Sequence, residues 1–519
     1  MTHFTVASCL LAVLAGAVEA DVVIKDVEIH DGSGAVIAHG DIAIKDDRIV
    51  AVGEVSVAGE PRRIRGEGLV AAPGFIDLHT HCDGGITKKA TRLNRNYLTQ
   101  GVTTVVTGNC GGGPVDVARY LKQIETAGAG TNVVHLIPHG SVRREAMGSE
   151  RRSPSADELE KMKKLVEEGM RAGAWGMSTG LIYAPGSYAE TSELIELSRV
   201  VAAHGGVYAS HLRSEGSGLL EAVEEALTIG AAGGAPVHIS HMKASGRVAC
   251  ERQLAATAVE MVLAARAKGQ VVTADQYPYI ASSTSLAAML IPDEYGRGKK
   301  LAEALADPKQ AEELRAKLKE RLDARSGGEK LFVARYAKGP AWQGKSLAMI
   351  AEETGKAVVE VVLEIQQNGG ADMVNFGMRE EDVVMIMRQP FVSTASDGGC
   401  QVPDDTVPHP RKYGSFPRKI GRYALENGTI PLEQAIRSGS GLPADTFGIP
   451  ERGYLRAAYF ADIVVFDPRT FRDTATFEKP HQYATGVRYL FVNGVLAIDD
   501  GKVTEKLAGR ALRHAVTTP

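Results

Sequence analysis

The sequence predicts an α/β protein: a (β/α)8 TIM barrel, a small β-sandwich built from both chain ends, and an inserted helical lid. Three observations carry that prediction. The long middle of the chain alternates short apolar strands with helical stretches, the pattern of parallel βα units. Eight strand candidates can be counted in it, the number that closes such a barrel. Finally, β-rich pieces flank this middle on both sides.

Residues 1–20 (MTHFTVASCLLAVLAGAVEA) stand apart from these elements. Phe4 to Val18 is a nearly unbroken apolar and small-residue run, and Val18-Glu19-Ala20 offers small residues for cleavage. The run has the length of a signal-peptide core and is too short to span a bilayer. Its first residues hold His3 but no Lys or Arg, so a misassigned start or a slightly apolar tail is the alternative. Under the leader reading the protein is exported, periplasmic or secreted. No later segment is apolar for long enough to cross a membrane, so no membrane partner is expected for the mature chain.

Residues 21–72 read as the first part of the sandwich. Asp21-Val-Val-Ile-Lys, Asp41-Ile-Ala-Ile-Lys and Arg48-Ile-Val-Ala-Val are short β-branched runs separated by Asp-Gly and Asp-Asp turn signals. Residues 455–519, with Ala461-Asp-Ile-Val-Val-Phe-Asp and Gly486-Val-Arg-Tyr-Leu-Phe-Val, supply the second part. The barrel occupies 73–454. Its strand candidates are Phe75–His81, Thr103–Cys110, Asn132–Gly140, Ala174–Leu181, Gly206–Arg213, Ala235–Lys243, Val271–Ser283 and Phe391–Gly399. The last two are too far apart for one crossover. The gap holds an Ala-, Glu- and Lys-rich stretch from Lys300 to Arg325, so about 287–350 reads as an insertion over the barrel mouth.

A chain of 519 residues suits one large barrel with satellites. Its formal net charge of -4 provides no basic field, so nucleic acid is not an expected partner. Oligomeric state is not encoded in these patterns. Outside the leader lie Cys82, Cys110, Cys250 and Cys400, too few for a disulfide framework, and each is read singly.

The chemistry gathers at strand ends. Strand one ends in His79-Thr80-His81, and residues i and i+2 of a strand share a face, so both imidazoles can reach one ion. Strand two ends in Asn109-Cys110-Gly111, strand five in Ser210-His211, strand six in Ser240-His241 and strand eight in Ser396-Asp397-Gly398. All sit at the carboxyl end of the barrel, where such enzymes place their reacting groups. Singly, a strand His is more often a core residue, a Cys near glycines a small filler, and an Asp before Gly a turn former. Four His, one Cys and one Asp converging together suit a zinc ion. His30, His39 and His514 read as peripheral. His238, three residues before His241, is expected in the layer between barrel and helices. His139 is left open between support of the site and substrate contact.

At these residues the sequence resembles a family. Ala72-Pro-Gly-Phe-Ile-Asp-Leu-His-Thr-His looks like the opening strand of the amidohydrolase superfamily. Gly108-Asn-Cys-Gly, Ser210-His-Leu-Arg-Ser-Glu-Gly, Ser240-His-Met-Lys, Tyr277-Pro-Tyr, Ser396-Asp-Gly and His409-Pro-Arg-Lys-Tyr-Gly-Ser-Phe-Pro-Arg narrow the resemblance to its D-aminoacylase (N-acyl-D-amino-acid deacylase) group. The resemblance spans essentially the whole chain after the leader. It implies that Cys110, His211 and His241 hold one tight Zn2+, and that His79, His81 and Asp397 form a second, weaker or sometimes empty position. It also implies that Asp397 is the general base, and that Arg411, Lys243, Tyr277 and Ser283 receive the free carboxylate of a small-molecule substrate. Lys243 and Arg411 have the alternative of solvated rim charges, and Tyr277 that of a packed ring. Cys82 stands where the family commonly has an acidic or small polar residue.

The implied enzyme is a hydrolase of linear amides that splits N-acyl-D-amino acids. Zinc lowers the pKa of water from ~15.7 to about 7, and a carboxylate moves the proton to the departing amine. The alternatives are a dipeptidase cleaving before a C-terminal D-residue, a cyclic-amide hydrolase, and a non-catalytic barrel protein. Strand four, Trp175-Gly-Met-Ser-Thr-Gly, has no Lys to bridge two metals, which disfavours the cyclic-amide reading.

Overall fold

The computed structural model describes residues 17–296 and 298–515. The expected leader lies outside these residues up to position 16. Val18–Glu19 pairs in parallel with Val57–Ala58 as a separate two-stranded sheet.

Eight parallel strands make the barrel. They are β1 (Phe75–Asp77), β2 (Val102–Thr107), β3 (Asn132–His135, continued by Ile137–Pro138), β4 (Gly176–Gly180), β5 (Val207–His211), β6 (Val237–Ile239), β7 (Val272–Gln276) and β8 (Val392–Thr394). Each pairs with the next in sequence order, β3 through its two pieces. The ring closes just past β1 and β8, at a parallel bridge between Thr80 and Gly398. There the His81 N–H donates to Gly398 O at 2.6 Å and the Asp397 N–H to His79 O at 2.9 Å. Closure of the barrel is therefore what brings His79, His81 and Asp397 together.

Alternation along the strands sorts the core. Val105, Val133, Met177, Val237 and Val272 turn outward into the layer shared with helices, while Val106, Val134, Val207 and Ala209 turn inward and meet Phe447 and Ile449. His238 corrects the expectation made for it. Its neighbours Val237 and Ile239 face the helices, and its own ring lies inside, 5.7 Å from Phe447. β6 stops at Ile239 and His241 adopts left-handed backbone (φ 35°), so strand alternation does not extend across the two residues between the histidines.

Between β7 and β8 the chain makes a longer excursion than 287–350. It carries a three-stranded antiparallel sheet in the order Ser282–Ser285, Asp372–Asn375, Leu331–Arg335. Helices pack against it around a core that includes Leu290, Leu314, Leu331, Val333, Leu347 and Ile365. The span Val271–Ser283 therefore contains two strands rather than one. Ser282-Ser-Thr-Ser has no apolar alternation to mark it, and its role as a strand is set by the partner it finds 90 residues on. The helix Pro308–Asp323 starts with Pro at its first position and with Asp307 accepting from the Gln310 N–H at 3.0 Å.

Both chain ends build one hydrogen-bonded sheet of nine strands, joined where Val70–Pro73 pairs antiparallel with Ile463–Phe466. Ile463, Val465 and Phe491 face the domain's own core with Ile24, Ile42 and Ile44; Val464, Phe466, Leu490 and Val492 pack toward the barrel. Among the described residues no helix is long and apolar enough to cross a membrane.

Candidate metal centre

Three of the six expected ligands sit in left-handed backbone: Cys110 (φ 52°), His241 (φ 35°) and Asp397 (φ 50°). A non-glycine residue there costs on the order of 1–3 kcal/mol and persists only where its surroundings hold it. Those surroundings are visible. Ser178 accepts from the Gly111 N–H at 3.0 Å and donates to Gly108 O, pinning both sides of Cys110. The His241 N–H donates to Asp275 Oδ1 at 2.7 Å. Glycine at 180 lets this turn close, since a Cβ there would meet Cys110 O at 2.1 Å.

The six groups converge. Cys110 Sγ lies 3.2 Å from His79 Nε2, 3.4 Å from His211 Nδ1 and 3.8 Å from His241 Nε2. Asp397 Oδ1 lies 3.0 Å from His81 Nε2 and 3.7 Å from His79 Nε2. Three ligand triads result: Cys110–His211–His241, His79–His81–Cys110 and His79–His241–Asp397. In a tetrahedral zinc site, Zn–S of ~2.3 Å and Zn–N of ~2.0–2.1 Å place sulfur and nitrogen about 3.5 Å apart. The spacing around Cys110 fits that ion.

Two carboxylates orient the rings from behind. Glu215 Oε1 is 2.8 Å from His241 Nδ1 and also pairs with Lys243, which leaves His241 Nε2 facing Cys110. Asp275 is wholly buried, 2.8 Å from His238 Nε2 and 3.4 Å from His79 Nδ1. Burial pushes both acids up, but the groups around them together, Lys243, His241 and His211 at Glu215 and the His79 and His238 rings at Asp275, hold both carboxyls below their usual range. Burial brings His79 down to about 4 against the pull of Asp275, and it lowers His211 too, so both rings are neutral, as ligands must be. The Cys110 thiol is pushed up by burial; its thiolate form needs a cation at its side.

A cavity of about 750 Å³ opens over the cluster, lined among others by His81, Cys110, Asp397, Arg411, Tyr183 and Ser283. Arg411 is buried. Its Nη1 is 2.8 Å from Asp397 Oδ2, its Nη2 donates to Ser283 O at 3.2 Å, and its guanidinium lies 4.6 Å over the Tyr277 ring. Arg411 Nε and the buried Tyr277 hydroxyl make no hydrogen bond. Lys243 stands behind the cluster, held by Glu215 and by the His241 ring and carbonyl. The question left open at His139 is settled. Its Nε2 is 2.8 Å from Glu193, itself paired with Arg143, in a buried group behind the cavity-lining Gly140.

Sequence reasoning did not single out Glu215, Asp275 or Tyr183. Glu215 was within reach, four residues after His211 in Ser210-His-Leu-Arg-Ser-Glu-Gly, and Asp275 is the one acid of the strand Val272–Gln276. Tyr183, whose ring lies tilted 4.9 Å from that of His211, follows a glycine turn and left no signal.

Comparison with known proteins agrees with this geometry. Residues 66–498 match the amidohydrolase family. A D-aminoacylase of Alcaligenes xylosoxydans xylosoxydans is 36% identical over 95% of this chain and 97% of its own length. A D-aminoacylase structure that addresses the functional role of a binuclear metal center superposes with a TM-score of 0.82 at 34% identity, covering 95% of this chain and all of that one. N-acyl-D-glutamate deacylase from Bordetella bronchiseptica, complexed with zinc and a phosphonate mimic of the tetrahedral intermediate, superposes equally well at 31% identity, over 96% and 100% of the two chains. This chain belongs to the amidohydrolase family, in its D-aminoacylase group.

Proposed function

We propose that the protein is a zinc-dependent hydrolase that cleaves the amide bond of N-acyl-D-amino acids, releasing a carboxylate and a free D-amino acid. The observation that carries this reading is the Cys110–His211–His241 cluster with Asp397 and Arg411 beside it on one cavity wall. Cys110, His211 and His241 would hold the tight zinc, with His79, His81 and Asp397 offering a second position. Zinc held there supplies Lewis acidity, making water acidic enough to lose a proton near neutral pH and polarising the scissile carbonyl. Asp397 is held ionised: burial raises its pKa, but Arg411 and then His241 lower it further. It can therefore take the proton from water and deliver it to the leaving nitrogen. Arg411, whose Nε is buried without a hydrogen bond, and the unsatisfied Tyr277 hydroxyl would receive the substrate carboxylate, with Ser283 on the same cavity wall as Arg411. A screen of N-acetyl-D- and N-acetyl-L-amino acids, D-terminal dipeptides and cyclic amides tests the whole reading. Turnover of the D-acetyl series is expected; preference for L-substrates or cyclic amides overturns it.

Arg411→Lys tests the carboxylate contact. A lysine keeps the charge but not the planar fork. Losing a hydrogen bond to a charged group is worth roughly 1.5–3 kcal/mol, so kcat/KM for free-carboxylate substrates should fall about 10- to 150-fold. Amidated substrates should lose far less, because they never made that contact. Equal losses for acid and amide would make Arg411 a partner of Asp397 alone.

We further propose that residues 1–20 direct export and are removed. The apolar run Phe4–Val18 and the small residues near Ala20 support this. Cleavage after Ala20 would delete Val18–Glu19, whose strand pairing is with Val57–Ala58 outside the nine-stranded sheet, together with the exposed Glu19–Lys45 ion pair. The mature protein should then begin at Asp21 when its amino terminus is sequenced from the extracytoplasmic fraction. Protein retaining Phe4–Val18 there would refute the proposal.

A further inference from the structure

The barrel seam pairs two cysteines that lie 318 positions apart in the sequence. Thr80 and Gly398 form the parallel bridge, and two residues further along both segments stand Cys82 and Cys400. Cys400 Sγ is 3.8 Å from Cys82 O. At the Thr80–Gly398 bridge the two segments lie at strand spacing, about 4.8 Å, a separation of the order that a disulfide spans, ~4.4–6.8 Å between Cα atoms. Both thiols are free. Gly398 and Gly399 precede Cys400 and give its segment the backbone freedom to close the remaining gap. Access is one-sided: Cys82 is fully buried, whereas Cys400 is partly exposed and lines the substrate cavity.

We propose that Cys82 and Cys400 form a thiol-oxidation site that bridges the barrel seam and is reached by small disulfides entering the substrate cavity. The Cys400 thiolate attacks one sulfur of a low-molecular-weight disulfide, giving a mixed disulfide and releasing one thiol. Cys82 then attacks the Cys400 sulfur. The Cys82–Cys400 bond forms and the second half of the reagent leaves as a thiol. The two protons of the protein thiols end on the two released thiols, and the two electrons lost by the protein reduce the reagent. The new bond draws together the segments that carry His81 and Asp397, whose side chains are in contact at 3.0 Å. Misplacing reacting groups by about 1 Å can cost ~10²-fold. Turnover therefore falls on oxidation and returns on reduction.

The test treats zinc-loaded enzyme with oxidised glutathione, maps peptides without reduction, and assays amide hydrolysis in parallel. A Cys82–Cys400 crosslinked peptide is expected, with turnover down by about tenfold or more and restored by dithiothreitol. Cys400→Ser should show neither response. The crosslink is read without any assay, so it stands or falls independently of the substrate assignment. Glutathione left on Cys400 with Cys82 still free would overturn the proposal, as would unmodified thiols. Equal inactivation of wild type and Cys400→Ser would place the oxidation elsewhere and overturn it too. A crosslink that leaves turnover unchanged would overturn the coupling to His81 and Asp397.

Discussion

Cys110→Ala is expected to yield a folded protein without its tight zinc and with almost no turnover. The substitution removes only Sγ. Alanine keeps the Cβ and meets the same left-handed backbone at φ 52°, so the turn between Ser178 and Gly180 has no new reason to open. Yet Sγ is the atom nearest to three imidazoles at once, at 3.2, 3.4 and 3.8 Å from His79, His211 and His241. Two neighbours are unable to replace that donor: Tyr183 packs on His211, and Lys243 is committed to Glu215. Loss of an outer partner of a metal ligand typically costs ~10–100-fold in affinity or activity. Loss of the ligand itself should exceed that. Elemental analysis and circular dichroism on the same sample check the result, and stoichiometric zinc in the folded variant would sink the assignment of Cys110.

Asp397→Asn separates proton transfer from metal retention. The amide has the size of the carboxylate, and the backbone that holds position 397, with its N–H on His79 O, is untouched. Cys110, His211 and His241 remain, so the tight zinc should stay. The amide cannot accept a proton from water. It also loses the ion pair to Arg411 at 2.8 Å and the acceptor that faces His81 at 3.0 Å. General acid–base catalysis typically contributes ~10²–10⁴-fold, so kcat should drop by at least about 10²-fold. Turnover within a few-fold of wild type, with zinc retained, would remove Asp397 from the mechanism. Turnover and zinc lost together would make it primarily a ligand.

How much was legible beforehand follows from how local each signal is. Strand periodicity and the position of a residue at a strand's carboxyl end are properties of a few neighbouring residues. They placed His79, His81, Cys110, His211, His241 and Asp397 at one end of the barrel, and the structure brings all six together. The alternating βα pattern and the β-rich termini are local as well, and both reappear, the termini as one continuous sheet. Alternation failed where the backbone leaves the strand. His238 points inward and His241 swings into the cluster because the turn at φ 35° lies beyond the last paired residue of β6.

What only the tertiary structure decided are the pairings between distant segments. Glu215 reaches His241 from the loop after β5, and Asp275 reaches His79 across the barrel interior. Arg411 meets Asp397 because its helix starts against the closed seam, and Cys400 meets Cys82 there too. Each of these contacts depends on ring closure and on turn geometry, which fix where a side chain points only after eight strands have found their registers. A residue's type told what chemistry it could do; closure of the barrel determined which partner it does it with.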